Sequence, residues 1–253
     1  MLGFVDRLLA KATGPVVLGL CGAQGSGKST LAAAVARAVP DTVILSLDDL
    51  YRTRAARRDL AATIHPLFAT RGVPGTHDVD LGIATLDALR AGARIRLPRF
   101  DKAVDDRVPD GDVAEAGAVR LILFEGWCVG ARPIADADLA EPINALERNE
   151  DGDGRWRRSW NAALAGSYQA LFARVDRLVL LEAPGWETVL RWRTEQEQTL
   201  RAAGASGPGV MDDAAVARFI QHYERLTRHI LAEMPGRADL VLPLDERRSL
   251  RAA

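Results

Sequence analysis

The chain is poor in cysteine, lysine and aromatic residues. It has two cysteines in 253 residues, three lysines among 33 basic side chains, and 6% aromatics. Cys21 and Cys128 are too few for a disulfide framework and show no CxxC spacing for zinc or redox work, which fits a reducing cytoplasm. Charge of one sign is lacking too. The 33 Lys and Arg stand against 34 Asp and Glu for a net charge of −1, so no global field recruits nucleic acid or an anionic membrane. Any phosphate binding must be local. No stretch approaches the ~18 to 20 apolar residues of a membrane span. The segment Met1–Lys11 has Asp6 and Arg7 inside its apolar run, so it reads as an amphipathic helix within residues 1–14, not as a signal peptide. The shortage of lysine has a bland cause in an arginine-rich composition. Against that background Lys11, Lys28 and Lys102 hint at positions where arginine would not serve.

At about 150 residues per domain the length allows one or two domains. With no repeat and no low-complexity linker, one elaborated domain over 1–253 is expected. Buried-strand candidates are Pro15–Cys21, Thr42–Leu47, Val119–Phe124, Arg177–Glu182 and, more weakly, Asp239–Leu244. Near-continuous apolar strands separated by helical stretches predict an α/β fold, a parallel sheet covered by helices on both faces. Helices are predicted at 80–91, 159–174, 185–203 and 212–233, the last with a core-facing stripe from Val216 to Ile230. His222 and His229 on it are read as surface or packing residues, and His65 is given no role. The stretches 51–79 and 98–117 read as long polar loops, which in an α/β domain are usually functional. The mixed-sign stretch 144–158 reads as a solvated loop.

Gly22, Ala23, Gln24, Gly25, Ser26, Gly27, Lys28 and Ser29 match G-x-x-x-x-G-K-[ST] at every fixed position, with Thr30 next, between a predicted strand and a predicted helix. Glycines there let backbone N–H groups turn inward on a phosphate, and the helix start adds its positive dipole end. Lys28 would reach the β- and γ-phosphates and the Ser29 hydroxyl would help hold Mg²⁺. The sequence carries no Asn-Lys-x-Asp for guanine, which argues against a regulatory GTPase. Phosphoryl transfer to an alcohol also needs carboxylates. Asp48 and Asp49 end the second strand and Glu125 ends a later one, at the edge where α/β sheets gather ligands.

Together these residues resemble the uridine kinase, phosphoribulokinase and pantothenate kinase group of P-loop small-molecule kinases, which use ATP and Mg²⁺. The resemblance implies that Asp48 is the base for the acceptor hydroxyl, with Asp49 and Tyr51 beside it on the acceptor side, and that Glu125 lies by the metal. Arg71–Asp78, Leu97–Lys102 and Glu125–Gly130 are similar to the D-glycerate 3-kinase family and its bacterial relatives, and the likeness runs from about residue 15 to 248. Where plant-type glycerate kinases carry a Gly-Arg-Gly-Asp-Arg-like stretch, this chain has Ala103–Arg107. The resemblance further implies that the helix over 185–203 is a lid, with Arg191 first and Arg193 second as phosphate contacts.

The polar stretches within 51–117 carry chemistry suited to a small polyhydroxylated acid. Arg71 and Arg99 can clamp a carboxylate, His77, Asp78 and Asp101 can hydrogen-bond hydroxyls, and Lys102 adds a positive charge. Between 52 and 117 the only aromatic residues are Phe68 and Phe100, so a stacked nucleobase is disfavoured as acceptor. The expectation is an ATP-dependent kinase for a hydroxy acid, D-glycerate foremost. A nucleoside, a pantothenate-like compound or a sugar remains open as acceptor. A nucleotide-binding regulatory module without catalysis is the alternative of a different class.

Overall fold

The computed structural model describes residues 1–108, 115–116, 119–202 and 211–251. In chain order the elements are α1 (Leu2–Leu9), β1 (Val16–Gly22), α2 (Lys28–Ala38), β2 (Thr42–Ser46), α3 (Arg54–Thr63), α4 (Val79–Arg90), β3 (Ile95–Arg96), β4 (Phe100–Asp101), β5 (Asp106–Arg107), β6 (Glu115–Ala116) and β7 (Leu121–Gly126). They continue with α5 (Ala145–Glu150), α6 (Arg155–Ala165), α7 (Ser167–Phe172), β8 (Arg177–Glu182), α8 (Trp186–Ala202), α9 (Asp213–Glu233) and β9 (Leu240–Pro243). All five expected strands form one parallel sheet in the order β2-β7-β1-β8-β9. β1 and β7 are buried along their whole length, which is why they read as unbroken apolar runs instead of alternating.

Register decides what the sheet can do. Leu20 pairs with Glu125, Cys21 with Gly126, and Ser46 with Glu125. The chain therefore leaves β1, β7 and β2 side by side at one edge, and the glycine loop, Glu125 and Asp48 emerge together there. Burial pushes the Cys21 thiol up to about 12 and raises Cys128, so neither offers a thiolate at neutral pH. Among the described residues no helix is long and apolar enough to cross a membrane.

Three expectations are corrected. The polar stretch 51–79 contains α3 and a 3₁₀ turn at Pro66–Ala69, and 98–117 contains the short hairpin β4–β5, with residues 109–114 and 117–118 outside the described residues. The helix expected over 159–174 starts earlier and breaks at Gly166 into α6 and α7. Stretch 144–158 is not a solvated loop. Glu147, Asp151, Trp156 and Arg157 are all buried, and α5 lies within it. Asp151 receives Arg157 Nη1 at 3.0 Å and the Trp156 N–H at 2.7 Å, while Arg157 Nε donates to the Leu139 carbonyl. Glu147 receives Arg225 of α9 through both oxygens, at 2.9 and 2.6 Å. Charges can point inward because each meets its partner there, and hydropathy along the chain does not show this.

This packing sets two expected outcomes. Asp151→Ala strands the buried Arg157 guanidinium and should cost about 3–5 kcal/mol in chemical denaturation. Glu150→Ala, which frees the exposed Arg218, should cost under about 1 kcal/mol. His222 is buried edge-on to Trp156, and burial pushes its imidazole down to about 4. The unfolded chain therefore takes up a proton at this site from about pH 6.5 downward that the fold refuses, and stability should fall with acidification between about 6.5 and 4. In that window His222→Phe should give a flatter dependence of melting temperature on pH than the parent.

Candidate active site

The loop between β1 and α2 turns through two left-handed glycines, Gly25 at φ 75° and Gly27 at φ 86°. A Cβ on Gly27 would meet nothing within 4 Å, so that face is open where a phosphate would lie; a Cβ on Gly25 would sit 2.8 Å from Cβ of Trp192. Gly27 caps α2 without a side-chain hydrogen bond, which leaves first-turn N–H groups available to an anion. Ser29 Oγ donates to Glu125 Oε1 at 3.0 Å, while Glu125 Oε2 is buried and has no hydrogen-bond partner. A hydroxyl and a carboxylate oxygen with spare lone pairs suit a hard cation. Among the described residues no group of three His, Cys, Asp or Glu could enclose one. Such an ion would complete its shell with phosphate oxygens and water, as Mg²⁺ does.

The neighbouring carboxylates Asp48 and Asp49 take different partners. Both lie in the 3₁₀ turn Leu47–Leu50, capped by the Ser46 side chain. Asp49 is engaged in scaffolding: Oδ2 receives Arg99 at 2.9 Å and Oδ1 the Phe100 N–H at 3.1 Å, which fastens the β4–β5 hairpin. Asp48 faces the site, its side chain 29% exposed, with Oδ1 receiving Tyr51 Oη at 3.0 Å and Oδ2 receiving Lys102 Nζ at 2.6 Å. Burial would raise its carboxyl; the ammoniums of Lys102 and Lys28 outweigh burial and hold it well below the usual range. Asp49 is displaced the other way, raised by burial that Phe100 N–H and Arg99 only partly offset. Of the two, Asp48 is directed to the Lys28 side, whereas Asp49 is spent on the hairpin.

The other residues expected on the acceptor side divide. His77 is fully buried, stacked on Tyr51 at 4.4 Å with Nδ1 2.6 Å from Tyr168 Oη, and burial pushes it down to about 3. It is a neutral prop behind Tyr51, not a surface for hydroxyls. Asp78 caps α4 and takes Arg107 at 2.8 Å. Asp101 accepts from the Ala103 N–H in the hairpin tip. Arg71 and Arg99 do not share a carboxylate: Arg71 goes to Asp105 and Arg99 to Asp49. Much of Arg71–Asp78 is thus a support. The Tyr223 hydroxyl donates to the Arg71 carbonyl and Trp127 Nε1 to the Gly72 carbonyl, while a Cβ on Gly72 (φ 144°) would lie 2.2 Å from Tyr223 Oη.

On α8, Arg191 is about half exposed and paired with Glu246, whereas Arg193 is tied to Glu197 at 2.7 Å and lies over the Phe219 ring. Of the two, Arg191 is the more exposed. The last position of the expected helix, 203, lies outside the described residues. Sequence reading misses Arg248, whose Nε donates to the Gly25 carbonyl at 2.7 Å and whose guanidinium lies over Trp192 and binds Glu195. It also misses Arg57, buried beneath the hairpin. No local pattern distinguishes either from the other arginines.

An AAA domain family model matches residues 17–94. The chain is 35% identical over 238 residues to the uncharacterized kinase mug58 of Schizosaccharomyces pombe, a match covering 88% of this chain and 83% of that protein. It is 28% identical to the chloroplastic D-glycerate 3-kinase of Arabidopsis thaliana, over 93% of this chain and 54% of the plant enzyme. The fold matches that of D-glycerate 3-kinase from Cryptococcus neoformans with a TM-score of 0.80 at 24% identity, covering 99% and 96% of the two chains.

The Lys102–Asp48 contact makes a testable statement about charge. In Lys102→Met the largest opposing influence on Asp48 is gone, so the carboxyl should titrate at higher pH than in the parent, as tracked by carboxyl-carbon NMR. An unchanged titration would show that Lys102 does not set it.

Proposed function

The chain belongs to the family of P-loop kinases that includes these relatives, and from that premise we propose that it transfers the γ-phosphoryl group of ATP to a hydroxyl of a small hydroxy acid, with D-glycerate as the first acceptor to test. The observation that carries this reading is Asp48: an ionised, partly exposed carboxylate at the sheet edge, within the electrostatic reach of Lys28 and next to an arginine-rich acceptor side. The plant relative is named as a D-glycerate kinase, which supports the acid. So does the Arg57–Arg71–Arg99 side of the site, which carries charge where a nucleoside would need stacking surface.

The acceptor hydroxyl gives its proton to Asp48 as its oxygen forms a bond to the γ-phosphorus and the bond to the bridging oxygen of ADP breaks. A carboxylate held so far below its usual range is a weak base. In a loose phosphoryl-transfer transition state the nucleophile needs little activation, so the main work of Asp48 is to hold and aim the hydroxyl. Lys28 and the loop N–H groups stay on the β- and γ-phosphate oxygens as charge shifts toward ADP. Mg²⁺, held through Ser29 and Glu125, would neutralise phosphate charge. Arg191 would close over the transferred group.

Acceptor-stimulated ADP release across D-glycerate, uridine, pantothenate and simple sugars tests the proposal. D-Glycerate should stimulate; if uridine or a simple sugar does so in its place the acid reading is wrong, and if pantothenate does so the acid stands but not as D-glycerate. Asp48→Asn should lower kcat by about 10²–10⁴ with ATP affinity nearly unchanged. Wild-type turnover in that variant would show that Asp48 does not carry the reaction, and ADP release that no acceptor stimulates would point to a nucleotide-binding module without acceptor chemistry.

A further inference from the structure

We infer that Arg57 and Arg71 form the subsite for the carboxylate of the acceptor, and that the side chain of Asp105 occupies this subsite until an acid displaces it. This rests on the hydroxy-acid reading above and gives it a location. Two guanidiniums converge on one carboxylate: Arg57 Nη2 donates to Asp105 Oδ2 at 2.5 Å and Arg71 Nη1 donates to Oδ1. Both lie over the Phe100 ring, at 5.4 and 5.7 Å from its centroid. Arg57 is fully buried, its Nη1 spent on the Arg52 carbonyl and its Nε without any partner. Two cations held together, one of them inaccessible to water, are unfavourable unless an anion answers them.

The source of that anion is what distinguishes the site. The other buried guanidiniums, Arg157 and Arg225, meet carboxylates that are themselves buried, Asp151 and Glu147. The partner of Arg57 comes from the tip of the β4–β5 hairpin, where Asp105 has a left-handed backbone (φ 58°) and a side chain 31% exposed. Lys102, in the same tip, lies on Asp48. Within four residues the hairpin therefore sets a cation on the proposed base and an anion on the two guanidiniums. A hydroxy acid offers the matching pair, a hydroxyl for Asp48 and a carboxylate for Arg57 and Arg71, a few ångströms apart in one molecule. The foot of the hairpin is fixed independently, by Arg107 to the Tyr51 carbonyl and Asp78 and by Arg99 and the Phe100 N–H to Asp49. Arg57 Nη2 also donates to the Asp105 carbonyl at 3.1 Å, so the Asp105 side chain is the part that gives way while its backbone and the foot hold register. An uncharged acceptor leaves both guanidiniums to Asp105 and gains nothing from this subsite.

The test uses the full chain with ATP and Mg²⁺, comparing D-glycerate with the uncharged D-glyceramide, in the parent, Asp105→Asn, Arg71→Gln and Arg71→Lys. Asp105→Asn removes the internal competitor, so KM for D-glycerate should fall about 3- to 10-fold, with the KM for ATP unchanged. The variant should melt below the parent, and D-glycerate should raise its melting temperature more than it raises the parent's, whereas the amide should not. Arg71→Gln should raise KM for D-glycerate about 10- to 100-fold, with Arg71→Lys intermediate and the amide indifferent to both. If Asp105→Asn does not fold, the acid-to-amide comparison in the Arg71 variants decides. Were D-glycerate turned over with KM raised by Asp105→Asn or untouched by Arg71→Gln, the kinase reading would stand and this inference would fall. If no hydroxy acid is turned over, yet D-glycerate and not the amide protects Asp105→Asn against melting, the subsite stands and the acceptor reading fails.

Discussion

A parallel sheet buried on both faces can show polar groups only beyond its strand ends, and this constraint organises the molecule. β1 and β7 have no exposed residue along their length, so the functional groups come from the last positions of the strands, as Glu125 does, and from the turns beyond their carboxyl ends. The pairing of Leu20 and Ser46 with Glu125 then places the glycine loop, the Glu125 carboxylate and the Asp48 turn in one row. A one-residue slip of β2 against β7 would exchange its faces and carry Asp48 away from that row.

Upon that row the protein builds with arginine and with paired charge. A chain of net charge −1 has no field to spare, so each local charge is set by its immediate partners. Asp48 and Asp49 are neighbours with the same side chain, displaced in opposite directions because two lysines reach one while burial dominates the other. The same pairing holds the second layer together: Arg157 with Asp151 braces the α5–α6 region internally, Arg225 with Glu147 locks it to α9, and α9 in turn supplies Tyr223, which supports the backbone of Arg71. The Arg71 segment is thus tied to helices distant in sequence, and its loop is less free than its composition implies.

The features legible in the sequence are those with local causes. Five apolar runs become five parallel strands, and the eight-residue glycine motif becomes a phosphate loop between strand and helix, because burial on both faces and left-handed turning leave marks on consecutive residues. Stretch 144–158 misleads because inward-pointing charges look like solvated ones until their partners are known, and those partners are up to 78 residues away. His77 looks like a ligand and proves a buried prop, since its stacking on Tyr51 depends on a bridge between two loops. Lysine scarcity gains meaning at Lys28 and Lys102, while Lys11 gains none.

Fold class, phosphate loop and strand-end carboxylates can all be read from the linear chain, because each is encoded within a few consecutive residues. Which aspartate is available, which arginines converge on a carboxylate, and that Arg248 braces the loop through the Gly25 carbonyl, 223 residues before it, emerge only once the chain is packed. With 30 arginines in the chain, composition cannot tell a solvated guanidinium from a buried one. The difference lies in the partners that packing brings within hydrogen-bond reach, and those are set by register and helix packing far along the chain.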